Sequence, residues 1–323
     1  MTAIREILDP SEVSHVLKEA RDRAERQLST MRSLASEIST AFPHLIVGVN
    51  GSVARREVTS GSDVDLFFLS QEEDLQPVIG IQSEYRDILS TKGIKMPSSG
   101  GVFDEPLHTR DLTSKIGGED DTNKFITRRM LYLLEGEWIA NADGFARVRE
   151  ELVTHYVPDD LKASKLCMFL LNDVIRYWRT ICVDFEYKTL GSNKSRAIRL
   201  VKLRFSRMML YFAGVAAIGQ AVDMDVATKR KTLCTLLAQP PIERLTGIFG
   251  QERLAGALSA YATFLSAIDA EEVRNRLSSP GSEALESKEY NELIEVARKF
   301  RDALQGLLLD QCKPVPVAKA LMI

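Results

Sequence analysis

The sequence predicts an α+β protein, with a small mixed-sheet domain over residues 1–140 and an all-helical domain over residues 141–323. Three observations predict it. Two apolar runs rich in β-branched or aromatic residues, Leu45–Val49 and Val64–Leu69, lie close together early in the chain. Strand signals vanish from about residue 108 onward. Helical-period segments, punctuated by proline and glycine, fill the rest.

Residues 10–42 read as one long helix. Pro10-Ser11 opens it, Pro43 closes it, and Val13, Leu17, Ala20, Ala24, Leu28 and Met31 recur at helical spacing. Leu45–Val49 is a buried strand, Gly51–Gly61 a polar stretch bounded by glycines, and Val64–Leu69 a second buried strand. Residues 72–91 are helical. Residues 93–95 and 101–103 are expected as third and fourth strands around a turn at Pro97–Gly101. Asp121-Thr122 opens a helix running through Leu134. Helices follow at about 142–156, 159–188, 195–218, 223–238, 241–249, 252–276 and 283–309, and the tail from Pro314 reads as loosely ordered.

Composition excludes several function classes. The net charge of −3 creates no global field for nucleic acid, so any such binding needs a local patch. Cys167, Cys182, Cys234 and Cys312 match neither a zinc site nor a disulfide framework, which points to free thiols in a reducing cytoplasm. No secretion signal is visible, and the apolar stretch Met208–Ile218 is shorter than the about 20 residues that span a bilayer. Only four histidines are present, which weakens any reading that needs a histidine cluster, such as a zinc hydrolase.

Chemistry concentrates in residues 49–66. Gly51-Ser52 follows a buried strand, and glycine lets the backbone approach a phosphate closely. The Ser52 hydroxyl and nearby N–H groups can hold phosphate oxygens. Asp63-Val64-Asp65 then enters the second strand, where residues two apart share a face. Two adjacent carboxylates repel unless a cation sits between them, and hard oxygen ligands suit Mg²⁺ or Mn²⁺ with triphosphate completing the set. Arg55 and Arg56 either neutralise triphosphate charge, or Arg55 pairs with Glu57 and braces the loop. Thr59, Ser60 and Ser62 are candidates to orient the metal ligands.

Gly51, Ser52, Ala54, Arg55 and Glu57, followed by Ser62, Asp63, Asp65 and Leu66, resemble the signature of the polymerase-β-type nucleotidyltransferase superfamily. The fuller pattern is similar to the branch that contains the bacterial uridylyltransferase of the PII signalling protein. The strong likeness covers about 20 residues; a looser one runs through Asp121-Thr122 to Leu133-Leu-Glu135. The resemblance implies a Mg²⁺-dependent transfer of a nucleoside monophosphate from an NTP, with Gly51, Ser52, Arg55, Arg56 and Ser62 binding nucleotide and Asp63 and Asp65 binding metal. It also implies a third catalytic carboxylate on a neighbouring strand. Asp104 or Glu105 is nearest in order, although Pro106 leaves a solvated turn equally open. The branch tilts the acceptor toward a protein side chain, with RNA or a small molecule as alternatives.

The helical half offers a basic run, Lys188, Lys194, Arg196, Arg199, Lys202, Arg204 and Arg207, after the aromatic segment Asn172–Arg179. It reads either as a wall facing a nucleotide or as an ordinary amphipathic helix pair. Arg149 and His155 share the spacing of the RNase motif in HEPN-type helical domains, or simply occupy a helix surface. Two functions compete with the enzyme: a non-catalytic nucleotide-binding regulator resembling an antitoxin, and a toxin or defence transferase.

Overall fold

Four strands form one mixed sheet in the order β3-β2-β1-β4: β1 is Ile46–Asn50, β2 Asp65–Ser70, β3 Leu107–His108 and β4 Glu137–Ala140. The computed structural model describes residues 8–97, 101–190, 195–309 and 315–321. β1 runs antiparallel to β2 and β4, and β2 runs parallel to β3. The protein is α+β, with helices making up most of the chain.

Both sheet faces are covered, which explains the unbroken apolar runs of β1 and β2. Alternate residues split between the faces. Ile46, Phe67 and Leu69 pack against the Asn123–Leu134 and Ala142–Tyr156 helices. Val47, Val49, Leu66 and Phe68 pack against the Pro10–Leu34 and Gln76–Thr91 helices. The core on the first face continues through Val174 and Leu210 to Leu233, so it joins the sheet to the helical half. A third core, centred on Phe205, Tyr261, Phe264 and Phe300, lies within the helical half and also takes in Ala20.

Several expectations need correction. The first long helix breaks at Ala35 into Pro10–Leu34 and Ser36–Ala41. It opens at Pro10 as expected, and Asp9 caps it, accepting from the Ser11 and Glu12 amides at 2.8 and 3.0 Å. Residues 93–95 and 101–103 are turn and loop rather than strands, and residues 98–100 lie outside the described residues. The third and fourth strands are Leu107–His108 and Glu137–Ala140. The second of these lies beyond the point where strand signals fade. It is only four residues long, and it opens on Glu137 right after Gly136, two residues that give no β signature. Residues 159–167 precede the Met168–Thr189 helix, and 252–276 divides at Ala270. After Pro314 the chain forms a helix, Val315–Leu321, with Val317 buried. Cys167, Cys182 and Cys234 are free thiols, and Cys312 lies outside the described residues.

Asp121 and Asp173 enclose the fully buried Arg129, with N–O distances of 2.8 and 2.9 Å, and the Tyr156 hydroxyl donates to Asp173 at 2.5 Å. Burial would raise the Asp121 pKa, but hydrogen bonds from Arg129 and the Gly117 amide, with the Arg129 charge, hold it below the usual carboxylate value. An acid whose folded pKa is depressed adds stability above its unfolded value, about 3.9, and loses it as pH falls through the folded value. Urea unfolding midpoints are therefore expected to drop as pH falls below about 4. Asp121→Asn should flatten that acid limb; an unchanged limb would assign it to other carboxylates.

Candidate active site

The β1–β2 pairing assembles the site. Asn50 pairs with Asp65 in register, so the polar stretch leaves β1 beside the first residue of β2. Gly51 has φ +74°, and a Cβ there would lie 2.4 Å from Asp65 Oδ2. Only glycine brings the loop backbone this close to the carboxylate. Gly51→Ala is expected to cost about 1–2 kcal/mol from the left-handed backbone alone, measurable as a lowered Tm. Gly51–Ala54 makes a single helical turn.

Asp63 lies two residues before Asp65 and just outside β2, yet both line one cleft of about 240 Å³ with Gly51 and Ser52. The cleft walls crowd Asp65 and raise its pKa to about 6, with the Asp63 charge the second cause. Its side chain still opens to cleft water, which moderates the first effect. Among the described residues, no group of three or more histidine, cysteine or acidic side chains converges as a metal cluster. Asp63 and Asp65 alone fit Mg²⁺, which is commonly bound by one or two carboxylates plus substrate phosphates. The mutual repulsion of the pair is what such an ion would relieve.

Arg55 braces the loop. It is 6% exposed, donates to Glu57 Oε1 at 2.6 Å and to Glu135 Oε2 at 2.5 Å, and only edges the cleft. Arg56 turns away, pairing with Glu25 and Glu137 at 2.8 Å each. Its predicted nucleotide contact is thus displaced by ion pairs to the first helix and β4. Ser62 lines the cleft, but its hydroxyl accepts the Thr59 amide at 2.9 Å and so shapes the loop. Asp104 does not line the cleft that holds both Asp63 and Asp65: it accepts the Gly101 amide at 2.9 Å and lines an adjoining compartment, which Asp65 also lines. Glu105 is exposed in the neighbouring turn. Neither acid extends a strand, because residues 101–103 do not form one.

The helical half supplies the other wall. The helix from Arg196 to Gln220 contains one widened turn, Leu203–Arg207. Such turns redirect side chains and often accompany functional sites. Here Phe205 stays in the core while Ser206 and Arg207 reach the cleft. Ser206 donates to Glu57 Oε2 at 2.9 Å. Arg207 meets Glu135 at 3.3 Å. Lys202 and Arg274 complete a cationic wall. Arg274 donates to Ser60 Oγ at 2.8 Å and passes where a Cβ on Gly61 would sit. Asp269 accepts the Ser60 amide at 2.7 Å, so the loop is fastened to the far end of the chain.

No protein-family model matches the chain, and no curated protein matches it either.

The basic run divides. Arg199, Lys202 and Arg207 face the clefts, Arg196 pairs with Glu186, and Lys194 lies outside the described residues. Lys188 pairs with Asp184 at the edge of the adjoining compartment. In the aromatic segment, Asp173 belongs to the Arg129 network and Trp178 stacks on Tyr211. Arg149 reaches the Gly136 carbonyl while His155 packs on Phe169, so they form no shared site. Residues singled out too weakly or not at all were Asn50, Glu135, Asp269 and Arg274. Glu135, Asp269 and Arg274 meet the loop from far away in sequence, and only Glu135 carried a signal, an acid ending a buried apolar helix.

Proposed function

We propose that the chain is a Mg²⁺-dependent nucleotidyltransferase that moves a nucleoside monophosphate from an NTP to an acceptor hydroxyl. The observation that supports this most is the cleft itself. Two carboxylates, Asp63 and Asp65, face a glycine–serine loop on one side and the cations Lys202, Arg207 and Arg274 on the other. A carboxylate pair opposite a cationic wall suits a triphosphate with a divalent ion better than it suits a neutral ligand. Asp63 and Asp65 would hold the ion, which when bound offsets charge on the pair and the phosphates. Ser52 and the cationic wall would orient the triphosphate, and Arg55, Glu57 and Glu135 would keep the loop in place.

A second reading, a nucleotide-binding regulator without turnover, is favoured by one observation: Asp104 lines the adjoining compartment, beside Asp65 but not Asp63, rather than the cleft that holds both. Incubation of the protein with each α-labelled NTP, Mg²⁺ and cell extract separates the two. Transfer of label, lost in Asp63→Ala and Asp65→Ala, is the expected result. Label transfer surviving in both variants would sink the metal-seat assignment, and NTP binding without any transfer would support the regulator. Among the described residues no helix is long and apolar enough to cross a membrane.

A further inference from the structure

A second compartment, of about 370 Å³, meets the phosphate cleft at Asp65 and Arg207. Its chemistry differs from the first. Asn50 lines it and is 3% exposed, and neither atom of its amide has a hydrogen-bond partner. A buried amide with both a donor and an acceptor unsatisfied is costly, and a ligand that supplied both partners would recover that cost. Arg86 and Arg199 line the same space, and no ion pair with a described residue holds either one. The Arg86 Nε is itself buried and unpartnered. Guanidinium forks of this kind match the paired oxygens of a phosphate. Leu66, Phe103 and Leu131 supply an apolar lining for a carbon skeleton. The volume falls within the range of small-ligand sites.

We propose that this compartment seats the acceptor, and that the acceptor is a small phosphorylated molecule carrying the attacking hydroxyl. The inference rests on the nucleotidyl-transfer reading. In a displacement at phosphorus the attacking and leaving oxygens lie in line, on opposite sides of the phosphorus. With the triphosphate against Ser52 and the cationic wall, the attacking oxygen needs a neighbouring space, and the two compartments join at Asp65. The acceptor oxygen bonds to the α-phosphorus. The bond from that phosphorus to the bridging oxygen breaks, and pyrophosphate leaves with its electron pair. The hydroxyl proton passes to Asp104, which lines the compartment, and then to water. Asp65, Asp104 and Glu135 line the same compartment without ion-pairing to Arg86 or to the exposed Arg199, so a phosphate suits these two guanidinium groups better than an unphosphorylated protein side chain does, and the compartment points away from the acceptor that the branch resemblance favours.

Calorimetry on the full chain tests this, with the phosphate cleft filled by an α,β-methylene NTP and Mg²⁺. The probes are a nucleoside 5′-monophosphate and a hexose 6-phosphate, each beside its dephosphorylated counterpart. At least one phosphorylated probe is expected to bind roughly tenfold or more tightly than its counterpart, and this gap should close in the Arg86→Ala/Arg199→Ala double variant. Loss of binding in Asn50→Leu identifies the amide as a ligand contact. That variant removes an unsatisfied polar group, so its Tm should be unchanged or higher, which controls for folding. A preference for the nucleotide or for the sugar phosphate tells which of the two sources the compartment reads. The proposal is overturned if the NTP analogue binds but neither phosphorylated probe does, or if the gap persists in the double variant. Failure of the NTP analogue itself would overturn the transfer reading instead. Phosphate-dependent probe binding that needs Arg86 and Arg199 would then still establish the compartment as a phosphate site.

Discussion

Asp65→Asn is expected to lower nucleotidyl transfer by at least about 100-fold while leaving the metal-free fold intact or slightly firmer. The first half follows from position. Asp65 is the residue where β2 begins, opposite Asn50, and it lines both the cleft at the Gly51-Ser52 loop and the adjoining compartment. Asparagine keeps the shape but halves the charge that the pair offers a divalent ion. The second half follows from sign. The folded pKa of Asp65 is raised to about 6, so its ionisation opposes folding, and that penalty is fully present above the folded value. Asparagine removes it. Since the carboxyl opens to cleft water, the gain is at most about 1 kcal/mol after screening. Thermal unfolding gives a two-sided check. Mg²⁺ with NTP should raise the Tm of the wild type through binding linkage and leave Asp65→Asn unmoved. Equal shifts in the two proteins, or label transfer at the wild-type rate, would remove Asp65 from the metal seat.

The heart of this site was legible because its information is local. Gly51-Ser52 and Asp63-Val64-Asp65 lie within 15 residues of one another on two strands that pair as neighbours. Strand register converts that short separation directly into proximity. The α+β class was readable for a similar reason, since β1 and β2 are buried on both faces and read as continuous apolar runs. The rest of the sheet was not. β3 has two residues and β4 has four, too few for any alternation to register. The roles of Arg55 and Arg56 were ambiguous because charge pairing depends on who else arrives. Arg55 found Glu57 nearby but also Glu135, 80 residues on, and Arg56 found Glu25 and Glu137. Asp269 and Arg274 reach the loop from more than 200 residues away, and no periodicity encodes such a contact.

Glu135→Ala should be among the most damaging single changes in the protein, at about 3–5 kcal/mol. The Glu135 side chain is 1% exposed and gathers three donors: the Gly51 amide at 3.1 Å, Arg55 at 2.5 Å and Arg207 at 3.3 Å. Burial alone would push its pKa up, but the charges of Arg55 and Arg207 overcome this and hold it below the usual value. The carboxylate therefore stabilises the fold above its unfolded value, about 4.3, and the contribution is lost as pH falls through the folded one. Truncation leaves the buried Arg55 with Glu57 alone and strips the Gly51 amide of its acceptor. Both consequences fall on the Gly51-Ser52 loop, so under the proposed function NTP binding should weaken along with stability. The mechanism is separable from simple cavity formation. If the damage comes from buried charge left out of balance, adding Arg55→Met together with Glu57→Gln to Glu135→Ala should recover part of the loss, because the Arg55–Glu57–Glu135 charges are then all removed. Urea denaturation of Glu135→Ala, of Arg55→Met/Glu57→Gln and of the three changes combined closes that cycle. A combined variant whose loss relative to the wild type equals the sum of the two separate losses would mean that the groups act independently, and that Glu135 holds the loop by filling space rather than by charge.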